Sequence, residues 1–208
     1  MGWCKMCGRF AATISREVLE RLYRLDIAEN VVPRYNIAPS QYALVLRLNP
    51  SDGKRELVSL KWGLIPGWIK QPATGPGIIN ARAETAGEKT MFQRALDNGR
   101  CVIPSTGFYE WDEKKRKYLF SLPGTGMLYM AGLYGRFEEE HCFVILTRDA
   151  NASVSPIHHR MPVIIRQTQI RDWIFDRAAA STILSGAGPE LLAMLQDSKE
   201  TVRSRPGA

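Results

Sequence analysis

No run of about 18 or more apolar residues occurs in this sequence, so no segment is expected to cross a membrane as a helix. The opening residues lack the basic-then-apolar layout of a secretory signal. A cytoplasmic, nucleoid-associated location is therefore expected. Cysteine is scarce: the four are Cys4, Cys7, Cys101 and Cys142. Cys4 and Cys7 form a C-x-x-C, the half-site of a redox or zinc motif. No second C-x-x-C and no H-x3-H pair completes it, so no metal and no other cofactor is expected. Cys101 in "RCVIPS" and Cys142 in "HCFVILT" sit in apolar, strand-like runs and read as buried free thiols. A disulfide framework does not suit a cytosolic chain. Internal repeats and low-complexity linkers are also absent. Acid is in deficit, with 21 Asp and Glu against 28 Lys and Arg, for a net charge of +7. That balance favours a polyanionic partner such as nucleic acid.

What is present is an ordinary globular composition over 208 residues, 45% apolar and 24% charged. "SREVLERLYRL" predicts a helix with Ser15 as N-cap, because Val18, Leu19, Leu22 and Leu25 recur at helical spacing. "YALVLRL" and "RELVSLKWGL" predict two strands joined by the turn "NPSDGK". "IINARAET" reads as a short strand entering a turn, and "KTMFQRALDNG" as a helix closed by Gly99. "RCVIPSTGFYEW", "RKYLFSL", "MLYMAGLYGRF" and "HCFVILT" read as a series of strands, with "DEKKRK" at a hairpin tip. "QTQIRDWIF" and "GPELLAMLQD" read as short late helices. Strands interleaved with short helices predict a single α+β domain over 1–208, with a mostly antiparallel, barrel-like β core and short flanking helices. Residues 1–6 read as a removed or artefactual leader and 199–208 as a frayed tail.

Four stretches carry polar residues beyond what packing needs. "MCGRF" joins a thiol, a glycine and the cation Arg9. In "NARAET" the residues Asn80, Arg82 and Glu84 alternate, which puts them on one face of a strand. "GFYEW" sets Glu110 among Phe108, Tyr109 and Trp111, and a carboxylate in aromatic surroundings has the raised pKa suited to proton transfer. "PIHHRMP" holds His158, His159 and Arg160 between prolines that stiffen the backbone. Each also has a structural explanation. Glu110 could be an exposed strand residue or an ion-pair partner, and Arg82 could simply pair with Glu84.

Taken together and in order, "MCGRF", "PRYNIAPSQ", "WGLIPGW", "INARAET", "RCVIPSTGFYEW" and "IHHRMPVII" resemble the SRAP (SOS-response-associated peptidase) family. The likeness runs from Met6 to about Trp173; the tail "TVRSRPGA" departs from it, so no role is carried onto those residues. The resemblance implies one α+β domain with a basic groove for single-stranded DNA. It also implies a protective covalent crosslink to abasic sites, made by a cysteine that becomes residue one. By that likeness Cys7, Asn80, Glu110 and His158 are the catalytic residues. Glu110 is implied as general acid and base, His158 as the group moving protons on the sugar oxygens, and Asn80 as the orienting group. Arg9, Arg82 and Arg160 would hold phosphates, and Trp111 and Pro39 would stack or wedge against bases, with Trp62 and Trp68 as weaker candidates. The implied partner is single-stranded DNA containing abasic sites, bound by a monomer away from any membrane. A thiol peptidase using Cys7, with His158 as base and Glu110 or Asn80 as orienter, is the alternative.

The position of Cys7 matters chemically. A free α-amine has a pKa of about 7.7–8.0, against about 10.4 for lysine, so part of it is neutral near pH 7. It can attack the C1′ aldehyde of a ring-opened abasic sugar to give a Schiff base. The β-thiol of the same residue then closes a five-membered thiazolidine, with the advantage of a tethered reactant. If "MGWCK" and Met6 stayed attached, that amine would be an amide and the ring could not form.

Overall fold

The computed structural model describes residues 7–25, 27, 30–64, 75, 77–137 and 140–196. In chain order these form β1 (Arg9–Ala12), α1 (Arg16–Tyr23), β2 (Arg34–Ile37), β3 (Tyr42–Leu48), β4 (Arg55–Trp62) and β5 (Asn80–Arg82). Next come α2 (Thr90–Asn98), β6 (Arg100–Ser105), β7 (Gly107–Trp111), β8 (Lys117–Ser121), β9 (Leu128–Phe137) and β10 (Glu140–Asp149). The chain continues with β11 (Arg160–Pro162), β12 (Ile164–Ile165), α3 (Ile170–Phe175), α4 (Arg177–Ser185) and β13 (Leu192–Leu195).

The "NPSDGK" turn joins β3 and β4 as the sequence predicts. Asn49 Oδ1 accepts from the Ser51 N–H at 2.8 Å, and Gly53 takes the left-handed φ of 69° that glycine allows. The hairpin pairs in full antiparallel register from Tyr42↔Lys61 to Leu48↔Arg55. β3 also pairs with β6, β6 with β9, and β9 with β10; β10 returns parallel to β4, closing a five-stranded barrel. Alternation along each strand then sorts the core into two sets. Val45, Trp62, Ile103, Met130, Phe143 and Ile145 belong to one cluster. Leu46, Val102, Ala131, Leu133, Val144 and Leu146 carry the other, where Leu19 and Tyr23 of α1, Phe92 of α2 and Trp173 of α3 pack. This is why "RCVIPS" is apolar over most of its length: β6 is buried on both faces.

One arginine ties helices to the barrel. Buried Arg100 donates to the carbonyls of Leu96 at 2.5 Å, Asp97 at 3.2 Å, Trp173 at 2.6 Å and Ile174 at 3.1 Å. A cation there satisfies carbonyls left open at the ends of α2 and α3 and meets their negative dipole ends.

β6 runs through Thr106 into β7 and so changes sheet. The second sheet has the order β13-β8-β7-β1-β2. Phe10, Phe108 and Phe120 seal it onto the barrel: Phe108 and Phe120 stack at 5.1 Å, and Phe10 meets Trp62 at 5.2 Å. "DEKKRK" forms the β7–β8 hairpin tip, where Asp112 accepts from the Arg116 N–H at 2.8 Å.

Three expectations change. "GPELLAMLQD" is not a helix: Leu192–Leu195 form β13 on the open edge of β8, from Leu192↔Ser121 to Leu195↔Tyr118. A short helix so close to Pro189 would be marginal, whereas an unsatisfied strand edge stood ready. The sequence reading leaves 177–185 unassigned, yet α4 forms there, capped by Asp176 accepting from the Ala178 and Ala179 N–H groups at 2.8 and 3.1 Å. Ser15 does precede α1, but it makes no capping bond to the backbone; its hydroxyl serves Glu17. The leader 1–6, the tail 199–208 and most of "GWIKQPATGPG", including Trp68, lie outside the described residues.

Candidate active site

Strand register builds the site. Arg9 lies opposite Tyr109 in the antiparallel β1–β7 pair, which carries Cys7, just ahead of β1, alongside Glu110 of β7. The Cys7 N–H donates to Glu110 Oε1 at 2.5 Å, and the thiol also bonds the same carboxyl. Cys7 holds a φ of 43°, a left-handed conformation that costs a non-glycine residue energy and marks the position as constrained. Both residues are almost fully buried, 2% and 1% exposed.

His158 arrives from the barrel side, at the end of a turn leading into β11. Its Nε2 stands 4.0 Å from Glu110 Oε2. Its Nδ1 lies 3.1 Å from both the N–H and the carbonyl of Arg160. The N–H serves a bare Nδ1, and the carbonyl serves a protonated one, so the backbone satisfies the ring in either state. The His159 ring stacks on that of His158 at 4.5 Å. An open cleft of about 470 Å³ lies between this turn and the β7–β8 hairpin, lined by Trp111, Pro156, His158 and His159 among others.

Burial sets the protonation states. It pushes the Glu110 carboxyl up to about 7, against the opposing pull of the bonds from Cys7. It also drives the Cys7 thiol well above its ordinary value, with the Glu110 charge adding to the effect, so the thiol stays protonated at neutral pH. His158 moves the other way, chiefly by loss of solvent, and is a neutral imidazole near pH 7.

The family resemblance puts Arg160 on a phosphate, and the structure gives it other partners. It is 4% exposed. Nη1 donates to Glu84 Oε1 at 2.8 Å and Asp149 Oδ1 at 2.5 Å; Nη2 donates to Glu84 Oε2 and the Thr147 carbonyl, each at 2.8 Å. A guanidinium so enclosed cannot reach a DNA backbone, and what it does instead is anchor the residue whose backbone grips His158. Glu84 is correspondingly held down to about 2 by Arg160. Glu84 also falls past the end of β5, so it does not share a strand face with Asn80 and Arg82 as the alternation predicts. Those two do share one, half-buried and exposed respectively, with Ala81 buried between them. Arg9 is exposed and donates to Asn36 Oδ1 at 3.2 Å. Trp111 and Pro39 are half-buried, Pro39 in the turn between β2 and β3. Trp62 is a core residue, fully enclosed, with Nε1 donating to the Ile79 carbonyl at 2.9 Å. The Glu84–Asp149 clasp escapes sequence reasoning because its members come from separate segments.

Comparison with known proteins shows the family to which the chain belongs. The profile of the family described as SOS response associated peptidase (SRAP) matches residues 6–200. "Abasic site processing protein YoaM" of Bacillus subtilis is 37% identical over 81% of this chain and 79% of its own. "Abasic site processing protein YedK" of Escherichia coli is 31% identical over 88% of both. The crystal structure of a phage-related protein from Bordetella bronchiseptica superposes with a TM-score of 0.74 at 26% identity, over 91% of this chain and 94% of that one. This chain belongs to the SOS response associated peptidase family.

Proposed function

We propose that this protein recognises abasic sites in single-stranded DNA and captures them covalently through Cys7, shielding the lesion during the DNA damage response. The observation that carries the reading is the Cys7 nitrogen and thiol both bonded to one buried carboxyl, Glu110. The names of the two bacterial relatives point to the same substrate.

The chemistry requires Cys7 to be the first residue of the working chain. Its neutral amine adds to the C1′ aldehyde, giving a carbinolamine. Glu110 takes the proton shed by the amine and returns one to the hydroxyl, which leaves as water and yields the imine. The thiol then adds across the C=N bond: sulfur bonds C1′, its proton passes by way of Glu110 to nitrogen, and the thiazolidine closes. One water leaves overall. The order follows from the acidities, since the raised thiol pKa leaves the amine as first nucleophile. A carboxyl poised near 7 serves both directions of proton transfer. Neutral His158 would handle the sugar oxygens, and Asn80 would orient amine and sugar. Arg9 and Arg82, both exposed, would hold phosphates, while Trp111 and Pro39 would support flanking bases. A single strand suits this site because its abasic sugar is reached without unpairing.

A second reading, self-cleavage ahead of Cys7, is favoured by a specific contact. While residue 6 is attached, Glu110 sits 2.5 Å from the nitrogen of that peptide bond. Water adding to the carbonyl of residue 6 would expel the Cys7 amine and leave residue 6 as a carboxylic acid. A carboxyl with a pKa near 7 is a suitable acid for that departing amine, so the same group would first free the nucleophile and then assist it.

The test is a denaturing gel with a uracil-containing single strand treated with uracil-DNA glycosylase. A shifted covalent band is expected from the wild type. Cys7→Ala, starting at that residue, should give only an imine that appears after borohydride trapping. A stable band from Cys7→Ala without reduction overturns the thiazolidine assignment. Intact-mass spectrometry should show wild-type chains starting at Cys7 and Glu110→Gln chains retaining residues 1–6; equal processing of both overturns the self-cleavage reading.

A further inference from the structure

The outer face of the second sheet carries, beside Arg9, a second cation that the chemistry above does not use, Lys117. Cross-strand register sets Arg9 opposite Tyr109, Tyr109 opposite Leu119 and Trp111 opposite Lys117. By alternation these residues share the face turned away from Phe10, Phe108 and Phe120. The Tyr109 ring is fixed by its hydroxyl donating to the Tyr35 carbonyl at 2.8 Å. Lys117 Nζ lies over that ring, 3.9 Å from its centre. Arg9 donates to the neutral Asn36 side chain. Among the described residues neither cation has a carboxylate partner, although such pairs form elsewhere in this fold, Arg116 with Asp112 a few residues away being one case. Loss of solvent makes the Lys117 ammonium easier to deprotonate, and the nearby charge of Arg9 adds to that effect. Two like charges held together with no counter-charge form an anion site.

We propose that Arg9 and Lys117, flanking the Tyr109 ring, form a phosphate subsite that carries the DNA strand across the outer sheet face on one side of Cys7. This rests on the DNA-capture reading and extends it to a residue outside the family motifs quoted above. The ligand is the phosphodiester backbone: the cations sit on a flat, aromatic-bordered sheet face next to the reactive residue, with Trp111 alongside. Lys117 is parked on an aromatic ring and not in an ion pair, so its charge is kept in place without being neutralised.

The experiment measures non-covalent binding of an intact single strand against salt, together with crosslinking of abasic strands extended only 5′ or only 3′ of the lesion. Lys117→Gln is expected to weaken binding about three- to tenfold at low salt and to lower the salt slope by roughly 0.7, the value for one phosphate on a single strand. Lys117→Arg should restore both. Lys54→Gln, at the exposed tip of the β3–β4 turn, should change neither. The Lys117→Gln deficit should appear with only one of the two extended strands. An unchanged slope in Lys117→Gln, an equal loss in Lys54→Gln, or equal deficits with both strands overturns the subsite while wild-type crosslinking still stands. A wild type that neither binds nor crosslinks overturns the DNA-capture reading itself, and the subsite with it. Thermal melts of each variant separate lost binding from lost folding.

Discussion

Glu110 joins two demands that conflict. Packing wants an uncharged group at a position 1% exposed, and the proposed proton transfers want one that can ionise. The compromise is a carboxyl at about 7, and it has a consequence for stability. The folded value lies above the ordinary 4.5, so folding favours the protonated form. That stabilisation is complete below pH 4.5 and is lost as pH rises through about 7. Glu110→Gln carries no ionising group there. In the full chain its stability relative to wild type is expected to improve from pH 5 to pH 8 by about 3 kcal/mol, from about 1.36 kcal/mol per pH unit between 4.5 and about 7. Urea melts at the two pH values measure this, and a pH-independent difference would show that Glu110 does not titrate in that range. In a chain that begins at Cys7, the same substitution should slow crosslinking by roughly 10²- to 10⁴-fold, the usual worth of a proton-transfer group. At this scale the sequence was informative: "GFYEW" announced a carboxylate among aromatics. It did not announce which nitrogen that carboxylate holds.

At the scale of elements, the site depends on how β5, β10 and β11 meet. β10 pairs with both β5 and β11, bringing Glu84, Asp149 and Arg160 together, and Arg160 grips His158 through its backbone. Glu84 is depressed to about 2 by Arg160, the reverse of Glu110. Its contribution is therefore present above pH 4.5 and fades as pH falls toward about 2. Glu84→Gln is expected to lower the melting temperature at pH 7, with the gap narrowing in acid; a gap constant down to pH 2 would refute the pairing as its source. Because Glu84 acts through His158, the variant should crosslink about ten- to a hundredfold more slowly with unchanged affinity for an intact strand. A loss of affinity alone would instead give the Glu84–Arg160 pair a binding role. The barrel itself sets a second limit. A methyl at Gly132 would lie 2.9 Å from the Val144 carbonyl and 3.1 Å from Cys101 Sγ, and would also clash with the Ile103 tip. Gly132→Ala should cost about 1–3 kcal/mol in denaturant titration; a neutral result would mean that β9 and β10 can separate freely. Elements with long periodic patterns, such as the β3–β4 hairpin and α2, were legible. β13 was not, because its four residues follow the open edge of β8 and not their own propensity.

For the whole molecule, the charge balance of +7 acts through position. Among the three arginines the motifs single out, Arg160 is neutralised inside, whereas Arg9 and Arg82 stay at the surface. Single-strand affinity is thus expected to fall with salt and to be nearly independent of sequence. Arg82→Gln should lower the salt slope by roughly 0.7, and Arg160→Gln should leave the slope unchanged while reducing stability. A reduced slope in Arg160→Gln would mean the buried clasp opens to DNA.

By itself the sequence determined which chemistry was at hand: a cysteine that can present two nucleophiles, a carboxylate in apolar surroundings, and strands whose alternation called for a two-faced core. Those features are local, carried by residue type and by periods of a few residues. The tertiary structure alone decided which groups meet. Cys7 and Glu110 are 103 residues apart, and Arg160 and Glu84 are 76 apart. Every arginine carries the same charge in the sequence; whether it finds a carboxylate or stays open to a phosphate depends on which strands the fold sets side by side.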